Sequence, residues 1–118
     1  MSYSFKSGGV IVWDPALRVG RLFLGQAQTA AELLAVPSGL TNRIDGTCDI
    51  DPAAFAAFVA ALQEWRLKSS HPVLIPLVHG VLTVSLALLA KIGRDLPAGS
   101  GEAWESLRAE AALLEKAF

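Results

Sequence analysis

His79 is the side chain in this sequence best suited to acid/base work, because an imidazole takes up and releases a proton near neutral pH. It lies within Val73–Ala90, VLIPLVHGVLTVSLALLA, eighteen residues without a charge. Thr83 follows one helical turn later on the same face, placed to orient the ring or to touch a ligand. Together they make a candidate catalytic pair. No acid stands four positions to either side of His79. A histidine that is hydrogen-bonded in the core, or simply exposed, is therefore the competing reading.

Other residues offer weaker chemistry. Gln26 falls inside an apolar helical arc and needs a hydrogen-bond partner if buried. Arg66 falls beside Val59 and Leu62, where an arginine near a helix end often reaches out to water. Arg18 and Arg21 are three apart, about 60° on a helical wheel, and suit an anion or carboxylate as well as they suit solvent. Gln26, Arg66 and Arg18 are thus the ligand-orienting candidates. Asp45, Cys48, Asp49 and Asp51 gather in one segment, and paired carboxylates bind divalent cations. Their spacing does not fit an EF-hand loop, and Asp51 and Asp45 are explained as a helix cap and a turn former. No metal is expected. A nucleophilic Cys48 would need His71 or His79 brought to it across the fold; a lone cysteine also serves as a small buried hydrophobe. There is no phosphate loop, no Gly-x-Ser-x-Gly, no His-Glu-x-x-His and no Cys-x-x-Cys, so no cofactor is expected.

The elements that must position these residues are mostly helical. Two short apolar runs around Gly8-Gly9 suggest an N-terminal β-hairpin over residues 1–13. Asp14-Pro15 starts helix 1, expected over 14–36, since aspartate caps free N–H groups and proline suits the first helical position. Leu17, Val19, Leu22, Phe23, Leu24, Ala27, Ala31 and Leu34 fill one broad side of it. Gly20 lies in that arc and makes sense if another backbone comes close. Around Asp45-Gly46 the chain is a second hairpin or an irregular loop. Asp51-Pro52 repeats the capped start for helix 2, over 51–69, with a Phe55, Phe58, Val59, Leu62, Trp65 stripe. Helix 3 follows His71-Pro72 and covers 72–94. Large aliphatics take about 220° of its wheel, leaving a strip of Pro76, His79, Gly80, Thr83, Ala87, Ala90 and Arg94. Helix 4, over 100–118, carries Trp104, Leu107, Ala111, Leu114 and Phe118 at 3-4-3-4 spacing.

A helix as apolar as the third is either a membrane span or the buried centre of a bundle. Pro76, His79, Gly80, Thr83 and Ser85 interrupt it, and three other helices carry stripes that need covering. The expectation is a mainly α, four-helix bundle-like single domain over 1–118, with helix 3 central and a short N-terminal β-hairpin. At 118 residues and 53% hydrophobic the chain is rich enough in apolar surface to expect a homo-oligomer. Ten basic residues face eleven acidic ones without a basic patch, which argues against nucleic acid. The N-terminal MSYSFKSGG lacks a long apolar run, and Cys48 is alone; a cytoplasmic protein, neither nucleic-acid-bound nor membrane-bound, is expected.

Trp13-Asp14-Pro15, Pro37-Ser38-Gly39-Leu40, Asp49-Ile50-Asp51-Pro52 and His71-Pro72 stand in that order. As a set they resemble a group of small actinobacterial proteins of unknown function. The resemblance implies a bacterial cytoplasmic origin and carries no activity.

Three functions fit these residues. The first is a non-catalytic, self-associating binding module. The second is a small cofactor-independent enzyme that holds an apolar small molecule between helices, with His79 as acid/base. The third is a neutraliser of another protein, which would require a charged face that the sequence does not display.

Overall fold

A computed structural model describes residues 1–118. The Gly8-Gly9 signal is realised as a tight hairpin joining β1 (Ser4–Ser7) to β2 (Val10–Trp13). Both glycines take positive φ, 57° and 80°, as the two central residues of a type I′ turn must. A second hairpin forms around Asp45-Gly46 between β3 (Leu40–Asn42) and β4 (Thr47–Ile50). Asp45 Oδ1 accepts from the Thr47 N–H and hydroxyl there, and Gly46 takes φ 81°.

The two hairpins do not lie apart. β1 pairs parallel with β4, Phe5 opposite Cys48, so the four strands form one mixed sheet in the order β2-β1-β4-β3. With 57% helix and 14% strand, the molecule is an α+β fold. This overturns the expected four-helix bundle with only an N-terminal hairpin. The deciding contact joins strands of four residues some forty positions apart, and neither strand's periodicity reveals its neighbour.

Four helices accompany the sheet: α1 (Leu17–Leu34), α2 (Pro52–Lys68), α3 (Leu74–Lys91) and α4 (Glu102–Glu115). Asp51 caps α2 through Oδ1, which accepts the Ala54 N–H at 3.3 Å, with Pro52 in the first turn. Asp14 does not do the same for α1. Its carboxylate accepts the Ser4 hydroxyl at 2.7 Å, the Tyr3 N–H binds the Pro15 carbonyl, and the helix begins three residues late with Ala16 as an uncapped N-cap. The N-terminal arm has outcompeted the cap. α1 ends in a Schellman turn, with Val36 N–H on the Ala31 carbonyl and Ala35 N–H on that of Glu32.

α3 runs through the middle of the molecule. Val78, Val81, Leu82, Thr83, Ser85, Leu86, Ala87, Leu88 and Leu89 are buried. The helix is long and apolar enough to cross a membrane, and half of its apolar window is buried inside the fold. α2 and α4 pack along it. Trp104, Leu107 and Ala111 of α4 are buried, and Leu114 and Phe118 pack against the core, so the 3-4-3-4 seam docks on its own chain. Gln63, buried on α2, donates to the Ala98 carbonyl and fastens the linker between α3 and α4.

Beneath the sheet lies an aromatic cluster. Phe5 stacks on Trp13 at 4.9 Å between centroids, Tyr3 and Phe23 meet Phe5 edge-on, and Phe118 also stacks on Trp13 at 4.6 Å. Gly20 explains how α1 approaches so closely. A Cβ there would stand 2.9 Å from the Tyr3 side chain.

Candidate functional site

α1 leans against the sheet with one side and leaves the other open. Phe23, Leu24, Ala27 and Ala31 of the expected apolar side are buried, together with Ala30, whereas Val19, Leu22 and Gln26 of that side are exposed, as is Leu33. The arc read as one face is thus divided in two. Its exposed half forms one wall of a groove of about 600 Å³ between α1 and the start of α3. Leu22, Thr29 and Leu33 stand on the α1 side, Leu74, Leu77, Val78 and Val81 on the α3 side, and Trp65 of α2 also lines it. Leu22, Leu33 and Leu77 are 64%, 71% and 72% exposed, which is unusual for three leucines facing a common space. Arg21 is the one charged residue lining the groove.

Gln26 sits where this groove meets a second one of about 420 Å³, bounded by Trp13, Val19, Phe23, Gly80, Val84, Leu114 and Phe118. Gln26 is exposed, so the buried partner expected for it is not needed. Arg18 is exposed on the first turn of α1 and lines neither groove. Arg66 is half-buried near the end of α2, outside both grooves, and its Nε lacks a hydrogen-bond partner. Gln26, Arg66 and Arg18 are therefore not brought together around one ligand.

His79 does have an acid partner. Its Nε2 stands 2.5 Å from Glu110 Oε2 on α4. The pair borders a hollow of about 400 Å³ with Thr83, Leu113, Leu114 and Ala117. Glu110 belongs to another helix, so no spacing along α3 points to it. α4 packs along α3, and only that packing brings the two together. Both side chains are about half exposed, 41% and 49%. The Thr83 hydroxyl donates to the carbonyls of His79 and Gly80, a backbone use common for threonine inside helices. It stabilises its own turn and not the imidazole.

The Asp45–Asp51 segment is accounted for locally. Asp45 holds the Thr47 turn, and its hydrogen bonds keep its carboxyl below the ordinary range. Asp49 pairs with Arg43 at 2.5 Å, and Asp51 caps α2. No three His, Cys, Asp or Glu side chains gather as a metal site. Cys48 lies fully buried in β4, and burial pushes its thiol up to about 11. Such a thiol is held protonated, the opposite of an activated nucleophile. Burial likewise pushes the adjacent Tyr3 up to about 12, and its hydroxyl donates to Asn42 Oδ1 at 2.5 Å. His71 is a structural residue: its Nδ1 accepts the N–H groups of Val73 and Leu74 and opens α3.

The model of a family of unknown function, DUF6086, matches residues 1–118. The chain belongs to this family. No curated protein and no solved structure matches it. In this member of the family, the groove between α1 and α3 and the His79–Glu110 pair are the features on which a functional reading is built.

Proposed function

We propose that the chain is a non-catalytic binding module whose receptor is the groove between α1 and α3. One observation carries the reading: Leu22, Leu33 and Leu77 stand exposed around a single apolar trough. Exposed leucines scattered singly are ordinary, but a trough walled by them marks a contact surface. The lining is mostly aliphatic and aromatic, with Gln26, Thr29 and one cation, Arg21, as its polar members, the composition of a site for an apolar group. The reading places the module in a bacterial cytoplasm, on the resemblance of its four short motifs and on the solitary cysteine. The test is titration with an apolar fluorescent dye in dilute solution. Dye uptake should be lost in Leu33→Asp and Leu77→Asp while the circular dichroism is kept. Uptake indifferent to both substitutions defeats the proposal.

The His79–Glu110 contact favours a second reading, an enzyme without cofactor. A carboxylate 2.5 Å from an imidazole nitrogen fixes the ring and supports proton transfer to a substrate in the adjoining hollow. In that case His79→Ala abolishes turnover of an apolar substrate and Glu110→Gln lowers it. Turnover unchanged in His79→Ala removes the histidine from any mechanism.

A further inference from the structure

We infer that the occupant of the α1–α3 groove is α1 of a second copy of this chain, packed antiparallel about a two-fold axis near Gly25. The inference rests on the binding reading above and names its partner. Three observations on α1 lead to it.

The first is the spacing of the open face. Val19, Leu22, Gln26, Thr29 and Leu33 line the open side and follow one another at 3-4-3-4 intervals, the pattern by which one helix seats against another. The same face walls the groove. Each copy therefore offers both a seam and the trough that accepts one, the self-complementarity that an isologous two-fold contact requires. Leu74, Leu77 and Trp65 then cover the partner's seam.

The second is charge. Arg18, Gly25 and Glu32 recur every seven residues along one flank of that seam. Neither Arg18, Arg21 nor Glu32 forms an ion pair within the chain, unlike Arg43, Lys68 and Arg108. Running two α1 helices antiparallel sets Arg18 against the partner's Glu32, and Glu32 against the partner's Arg18. A parallel arrangement would set like against like.

The third is Gly25 itself. A glycine in mid-helix weakens the helix relative to alanine. Gly20 has its reason in Tyr3, but a Cβ on Gly25 would meet nothing of its own chain. It lies midway between Arg18 and Glu32, where the two-fold axis passes and the two backbones come nearest.

Sedimentation equilibrium on the full chain tests this. Wild type should approach twice the 12.5 kDa chain mass as concentration rises. Arg18→Glu and Glu32→Arg each replace two attractive contacts by two repulsive ones, and each should weaken association about tenfold or more. Mixed in equal amounts, the two variants should recover a heterodimer, since both cross-contacts become attractive again. Gly25→Leu should abolish the dimer while the thermal transition persists. Arg18→Glu, held monomeric with its groove intact, should take up more of the apolar dye than wild type does. Dimers that ignore the charge swap and Gly25→Leu use another face and overturn the inference. A wild-type monomer that still binds the dye overturns it while the binding reading stands. A monomer that takes up no dye overturns both.

Discussion

On one side of α1, Gly20, Phe23, Ala27 and Ala31 lie closed against the rest of the chain, with Tyr3 and Phe5 edging Gly20 and Phe23. On the other side of the same helix, Val19, Leu22, Gln26 and Leu33 face an open trough. Both sides are largely apolar, the closed one through phenylalanine and small residues and the open one through larger aliphatics, and each has a glycine, Gly20 and Gly25. What stands opposite them is not the same. The sheet, assembled from two hairpins, reaches one side and supplies aromatic rings. The other side stays uncovered, with the start of α3 across the groove. Hydrophobicity marks surface that requires covering, and the fold settles whether the chain covers it alone.

The two sides should part most visibly at Phe5. It is fully buried among Tyr3, Trp13 and Phe23, so Phe5→Ala should cost about 3–5 kcal/mol. Leu22→Ala, measured in dilute solution, should change stability by no more than about 0.5 kcal/mol. Urea denaturation compares them, and equal losses would erase the distinction between the two sides.

The two glycines should respond with opposite signs. Gly20→Ala pushes a methyl group against Tyr3 Cβ, which cannot swing aside, and should cost about 1–3 kcal/mol. Gly25→Ala has open space and should raise the thermal midpoint, by up to about 1 kcal/mol in stability. A loss at Gly25 in the monomer would mean that some part of the chain already rests there.

Alkaline pH probes the closed side alone. The fold holds the Cys48 proton until about pH 11, against an ordinary value of 9.0. Because the folded value is raised, the stabilisation is complete below about pH 9 and disappears as pH climbs through 11. The loss should be about 2 kcal/mol, since each tenfold change in proton affinity corresponds to about 1.4 kcal/mol and local opening relieves part of the burial. Tyr3, raised to about 12, continues the decline at higher pH. Cys48→Ala should flatten the first part of the curve in chemical denaturation across that range. An unchanged slope would show that the thiol is not sealed by the sheet.

The smallest effect belongs to the His79–Glu110 contact. Both partners are about half exposed, and such pairs contribute about 0–1 kcal/mol. Glu110→Gln should leave the melting temperature almost unchanged. A larger loss would assign the pair a structural role in holding α4, at the expense of the enzymatic reading.

Much of the fold is legible in local signals. Gly8-Gly9 and Asp45-Gly46 mark two turns, Asp51-Pro52 begins α2 where expected, and the eighteen uncharged residues around His79 supply the central helix. Asp14-Pro15 misleads, since Ser4 takes the carboxylate meant for the cap. The candidate site is less legible. His79 is visible, but Glu110 belongs to another helix and depends on how α4 lies on α3. The leucines of α1 look like core, because a helical wheel counts apolar residues without knowing how much partner surface is available.

Where the chain turns, where its helices run, and that the oily segment after His71 needs shelter are all written in the order of residues. Those outcomes follow from interactions within a few positions: φ preferences of glycine, caps, and a 3.6-residue period. That the two hairpins join through β1 and β4, and that Glu110 meets His79, came only with the assembled fold. So did the open face of α1. Each of these depends on segments distant in the chain, whose mutual placement is set by the packing of the whole core and leaves no periodic trace in any one of them.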